Sequence, residues 1–160
     1  MRSKKQISSI KDDEILFFMP EESDHAEEYL EAIWMIEGDK KTSATISEVS
    51  KRLNVSAPST VEMLRKLEKR GYVVYLERQG VRSTSKGSAI GRRMVRNGRL
   101  MEVFMTEKLQ MKLNVKVAHS FEHYMDDPFA DSLCTLLGHP RICPHGYEIP
   151  LGNCCKGQDS

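Results

Sequence analysis

His119, Glu122 and His123 carry the sharpest chemical signal in this 160-residue sequence. On a helix, offsets of three and four put a carboxylate and two imidazoles on one face. That donor set suits Fe2+, Mn2+, Co2+, Ni2+ or Zn2+. Glu28 and Glu31 on an upstream helix, with Glu102 on a long central helix, are the hard ligands expected to complete the cage. The order His-x-x-Glu-His also occurs in reversed zincins, whereas the commoner metalloprotease order sets glutamate beside the first histidine. Nothing else here resembles a hydrolase cleft, so the chain reads as a non-enzyme, with a small metallohydrolase as the minor alternative.

A second group of donors lies near the C-terminus. Cys143, His145, Cys154 and Cys155 place three thiols and an imidazole within thirteen residues. Such soft donors suit zinc or an iron–sulfur cluster, although the spacing fits no defined motif. Free or reversibly oxidised thiols are the competing reading. Cys134 stands among Leu133, Leu136 and Leu137 and is expected in the core.

The elements that must position these groups follow from periodicity. Asp24 with Glu27 three residues on is a capping-box pattern. It precedes apolar Ala26, Tyr29, Leu30, Ile33, Trp34 and Ile36 at helical spacing, and Gly38 is expected to end that helix. A short helix over Ile46–Leu53, a turn at 54–56 and a second helix from Ala57-Pro58 to Gly71 form a helix-turn-helix, with Pro58 suited to a first turn. Val61, Leu64 and Leu67 are its expected buried stripe. Segments 72–76 and 81–83 read as strands of a β-wing. A long helix then runs from Thr84 to about Leu109, followed by shorter helices near Val115–Tyr124 and Pro128–Leu137 and a loop-rich tail from Gly138. The expected organisation is an N-terminal extension over 1–21, a winged helix-turn-helix domain over 22–92, a helical dimerisation and metal-binding domain over 93–140, and a cysteine-containing tail over 141–160. The fold class is therefore mainly α.

Charge separates along the chain although the net is only +1. Asp12 to Glu48 holds twelve acids against Lys40 and Lys41, whereas Lys51 to Leu100 holds thirteen Lys/Arg against three acids. A basic block around a helix-turn-helix is the footprint of phosphate neutralisation. Ser56, Pro58, Ser59, Thr60, Glu62, Arg65 and Lys66 on the second helix are its candidate DNA-facing residues, with Arg78 and Arg82 on the wing. Glu62 is awkward in a negatively charged groove and also stands where it can pair with Lys66. No stretch is long and apolar enough for a membrane span and no signal pattern is seen, so a cytoplasmic protein with no membrane partner is expected.

Taken together, these motifs resemble the diphtheria-toxin-repressor family of iron- and manganese-dependent repressors, over about Glu22 to Pro150. The resemblance rests on Glu27-Glu28-Tyr29-Leu30-Glu31-Ala32-Ile33, Leu53-Asn-Val-Ser-Ala-Pro-Ser59, Leu67-Glu-Lys-Arg-Gly-Tyr-Val73, Thr84-Ser-Lys-Gly87, Glu122-His123 and His139-Pro-Arg-Ile-Cys-Pro-His-Gly146. It implies a homodimer that binds palindromic operators in double-stranded DNA when loaded with Fe2+ or Mn2+, with Zn2+, Co2+ or Ni2+ as substitutes. It also implies metal ligands at Glu28, Glu31, Glu102, His119, Glu122 and His123. The pair Glu28 and Glu31 resembles the manganese-type branch, since the iron-type branch usually has methionine where Glu28 stands. Two departures stand out. His119 occupies a position commonly cysteine or glutamate, and a family histidine on the long helix falls at Gly98. The SH3-like domain of some relatives has no counterpart, giving a short form. The expected function is a metal-dependent repressor of iron or manganese homeostasis. The alternative is a redox- or iron–sulfur-responsive helix-turn-helix regulator that uses the C-terminal cysteines.

Overall fold

The computed structural model describes residues 24–76 and 78–156. The N-terminal extension, with its apolar run over 15–19, lies outside them. The order of elements is α1 (Asp24–Lys40), α2 (Ile46–Leu53), α3 (Ala57–Lys69), β1 (Val73–Leu76), β2 (Gly80–Ser83), α4 (Ser85–Val103), a π-helical turn (Phe104–Lys108), α5 (Val115–Glu122), α6 (Asp127–Leu136) and a 3-10 turn (Asn153–Cys155). The fold is mainly α, with one small antiparallel sheet in which Val73 pairs with Ser83 and Leu76 with Gly80.

Local chemistry explains most boundaries. Thr45 caps α2 through a complete capping box, its hydroxyl accepting from Glu48 N–H while the Glu48 carboxylate accepts from Thr45 N–H. Asn54 ends α2 in the left-handed conformation at φ 54°. Ser56 caps α3, which has proline in its first turn. Thr84, Asn114 and Asp126 cap α4, α5 and α6 in the same way.

Several expectations need correcting. Gly38 does not end α1; the helix runs on to Lys40, and Lys41 takes the left-handed conformation at φ 59° instead. Glu27 does not complete a capping box, because its carboxylate is drawn into the interior by a histidine and an arginine. The stripe of α3 is rotated from the expected one: Thr60, Leu64 and Leu67 are buried and Val61 only partly so. Helix α4 runs unbroken from Ser85 to Val103 and joins the two halves of the chain.

Two apolar cores result. One joins Leu30, Ile33 and Ile36 of α1 to Val49, Leu64, Leu67, Val73 and Val81 of the helix-turn-helix and wing. The other joins Leu100 and Val103 of α4 to Ala118, Ala130, Leu133, Cys134, Ile149 and Cys155. Helix α1 belongs to the first core yet packs along α4, so it lies between the wing and the second domain. Its Glu37 carboxylate accepts from Ser83 N–H at 2.9 Å and Ser83 Oγ–H at 2.6 Å, tying its C-terminal end to the wing. Ala44, just past α1, pairs with Val81 of β2.

Candidate metal centre and nucleic-acid surface

Helices α1 and α5 face each other with their acidic and imidazole side chains between them. His119 Nε2 lies 3.7 Å from Glu28 Oε1, and His119 Nδ1 lies 3.9 Å from Glu31 Oε2 and 2.5 Å from Glu122 Oε1. His123 Nε2 is 4.0 Å from the same Glu122 oxygen. Donor atoms of Glu28, His119 and His123 lie within 4.8 Å of one another, as do those of Glu31, His119 and Glu122. His119 belongs to both sets, facing Glu28 through Nε2 and Glu31 and Glu122 through Nδ1, so five of the six expected ligands form two adjoining donor sets that share one imidazole. Mixed carboxylate and imidazole donors at this separation fit a divalent first-row metal.

Three groups hold these ligands in place, two of them missed by sequence reasoning and the third, Gly98, noted there only as the position of a family histidine. Glu27, only 1% exposed, accepts from His123 Nδ1 at 2.8 Å and from Arg93 Nη2 at 2.6 Å. With Nδ1 against the Glu27 carboxylate, His123 turns Nε2 toward Glu122, and a carboxylate on the far ring nitrogen is the usual device for orienting a metal-binding imidazole. Buried Asn97 donates its amide to the carbonyls of Glu122 and Met125, at 3.1 and 2.7 Å, and so pins the end of α5. Gly98 is the third: a Cβ there would run into Glu122 Oε2. The carboxylate thus fills the space above Gly98. Glu27 had one sequence signal, its position beside the Glu28 and Glu31 face, but only the fold reveals that it points inward.

Electrostatics sets the protonation of this cluster. Burial, with the neighbouring Glu122 charge, pushes Glu31 up to about 7. Donation of its ring N–H to the Glu122 carboxylate raises His119 to about 9, against a smaller effect of burial. Burial raises Glu122 as well, partly offset by His119.

Glu102 belongs to a neighbouring group. Its carboxylate accepts from His145 Nδ1 at 3.1 Å, and Glu102, Cys143 and His145 form a donor set of their own. It lines the same cleft of about 180 Å³ as Glu31, His119 and Glu122. The expected C-terminal group is likewise divided. Cys143 and His145 sit with Glu102, whereas Cys154 and Cys155 join Cys134 and His139. Chain proximity is misleading here because the loop over 139–151 folds back before the last turn.

Of the candidate DNA-facing residues, Ser56 at the cap of α3, Pro58, Ser59, Glu62, Arg65 and Lys66 on it, and Arg78 and Arg82 in the wing are exposed. Thr60 is not: it is 0% exposed, with its hydroxyl donated to Ser56 O at 3.0 Å, because its position turns toward Leu64 and the core. Glu62 pairs with Lys66 at 2.7 Å. Arg65 lies 3.0 Å from Glu68 and stacks over the Tyr75 ring at 4.1 Å, linking α3 to the root of the wing.

Comparison with known proteins agrees with this geometry. The iron dependent repressor N-terminal DNA binding domain matches residues 22–81, and the iron dependent repressor metal binding and dimerisation domain matches residues 84–151. The HTH-type transcriptional regulator MntR of Shouchella clausii is 39% identical over 79 residues, covering 49% of this chain and 54% of that protein. The chain thus spans about half the length of the curated relatives it matches. The solved manganese regulator SloR is 29% identical with a TM-score of 0.69, covering 79% of this chain and 60% of that one. A manganese-dependent transcriptional repressor in complex with manganese is 30% identical with a TM-score of 0.68, covering 79% and 58% of the two chains.

Proposed function

Because the chain belongs to the iron-dependent repressor family, we propose that it is a metal-dependent DNA-binding transcription regulator, a repressor of iron or manganese homeostasis acting as a homodimer on palindromic operators. The observation that carries this reading is the α1–α5 cluster of Glu28, Glu31, His119, Glu122 and His123, on the same helix that holds the wing. Double-stranded DNA is met by α3 and the wing, with Ser56, Pro58 and Ser59 suited to phosphate and Arg65 or Lys66 to phosphate or guanine. The Glu62–Lys66 ion pair makes Glu62 a partner of Lys66 before it is a reader of bases.

Bound there, a divalent cation would supply positive charge to the clustered carboxylates. Glu28 and Glu31 would hold it from α1, and Glu37 joins the far end of that helix to Ser83 of the wing. The effect on DNA binding equals the difference in metal affinity between the two orientations of the reading heads. The Glu28–Glu31 acid pair favours Mn2+ or Fe2+, hard enough for carboxylates, over softer ions. Val117 and Phe121 of α5 and Phe129 and Leu136 of α6 leave apolar surface exposed, which supports the homodimer contact in this half of the chain. Among the described residues, no helix is long and apolar enough to cross a membrane.

Metal-stripped protein titrated with Mn2+, Fe2+ (anaerobically) or Zn2+ against DNA from its own promoter region tests the reading. Binding is expected to tighten with at least one of these ions. Equal affinity with and without each ion, in fully reduced protein, would sink it.

A further inference from the structure

Away from the α1–α5 cluster, the second core contains four soft donors converging on one point. Cys134 Sγ is 3.7 Å from Cys155 Sγ and 3.7 Å from His139 Nδ1. Cys155 Sγ is 3.7 Å from Cys154 Sγ and 3.7 Å from His139 Nδ1. All four donor atoms lie within 4.8 Å of one another, and all the cysteines are free thiols. A disulfide would bring two sulfurs to about 2.05 Å, which none of these pairs approaches. A tetrahedral zinc with metal–sulfur bonds of about 2.3 Å has ligand–ligand edges of about 3.8 Å, and the observed separations lie close to that figure. A binuclear iron–sulfur cluster spreads its protein ligands over two irons, wider than a single tetrahedron. The spacing therefore selects one ion over a cluster.

We propose that Cys134, His139, Cys154 and Cys155 form a structural zinc site that staples the C-terminal tail to α4 and α6. Two parts of the chain supply the ligands: α6 and the left-handed position just beyond its end give Cys134 and His139, the latter at φ 56°, and the 3-10 turn gives Cys154 and Cys155. Their surroundings suit an anionic metal–thiolate unit. Arg96 of α4, 4% exposed, donates to Cys154 Sγ at 3.4 Å and to Asp131 Oδ1 at 2.7 Å. Its guanidinium offsets the negative charge that three thiolates and one zinc leave behind. Gly152 permits this arrangement, since a Cβ there would collide with Arg96 and Asp131 as the tail closes over them. Zinc entry releases the thiol protons to solvent and requires no oxidant. The inference is independent of the proposed regulatory site, which uses different residues.

The test uses the full chain, expressed with zinc available and purified under reductant without chelator. Elemental analysis is expected to find one tightly held zinc per chain, released on titration of the thiols with a mercurial. Replacement by Co2+ is expected to give the thiolate-to-metal charge-transfer band and intense visible bands of a tetrahedral site. Cys134→Ser and Cys155→Ser should lose the zinc, while Cys143→Ser and Glu122→Ala keep it. His139→Cys should retain both zinc and the native thermal midpoint, which separates ligand loss from misfolding. Zinc-free wild type with four titratable thiols, zinc undiminished in Cys155→Ser, or a cobalt spectrum without the thiolate band would each overturn the proposal. Stoichiometric iron in place of zinc would overturn the assignment of the metal.

Discussion

The two donor clusters of this molecule are built on opposite principles. The α1–α5 cluster uses oxygen and nitrogen donors, spaces them unevenly between 2.5 and 4.0 Å, and leaves His119 44% exposed on its side chain. The Cys134–His139–Cys154–Cys155 cluster uses sulfur, holds four separations at 3.7 Å, and buries two of its thiols in the core. Unevenly spaced carboxylate and imidazole donors suit an ion that comes and goes with its concentration. Evenly spaced thiolate donors suit one that stays. A sensor and a staple need different chemistry, and separating them within one chain lets each be tuned alone.

The largest expected effect breaks the sensor and spares the staple. Glu122 is 3% exposed and lies between both histidines, so Glu122→Ala should abolish metal-dependent operator binding in a gel-shift or anisotropy titration. Its circular dichroism should remain that of the wild type. Unchanged metal dependence would show that the ligands lie elsewhere.

A smaller effect is expected one step back from the ligands. Glu27→Gln removes the charge that orients His123 and pairs with Arg93, and should weaken Mn2+ binding by about 10–100-fold. Calorimetry on the variant, with wild-type affinity as the outcome that dismisses the role, sharpens how far the sensor depends on its supports.

Acidity should act on the α1–α5 cluster in a graded way. With Glu31 raised to about 7 and His119 to about 9, a cation must displace their protons to bind. The sign follows: affinity rises with pH, by up to about 100-fold per unit while both protons must leave and about 10-fold per unit once only His119 retains its own. Mn2+ titrations at several pH values in a non-chelating buffer measure this, and a flat profile would contradict the protonated resting state.

Much of the function is legible before folding. The His119, Glu122 and His123 face needs only helical periodicity, and the helix-turn-helix announces itself through Thr45, Asn54, Ser56 and Pro58, whose cap and turn chemistry is local. Thr60 failed that reading because a half-turn of rotation in α3 decides between groove and core, and apolar spacing alone does not fix the angle. Glu27 failed it because capping boxes and buried carboxylates look alike in sequence.

What the sequence by itself determined is therefore what local rules control: element order, caps, the basic reading face and the donors carried on single helices. Tertiary structure decided which donors meet. Glu102 went with Cys143 and His145, and Cys154 and Cys155 with Cys134 and His139, because loop closure and burial set those distances. The physical reason is that a helix fixes neighbours three and four residues apart through its own hydrogen bonds, whereas contacts across a reversing loop exist only once the core beneath them has packed.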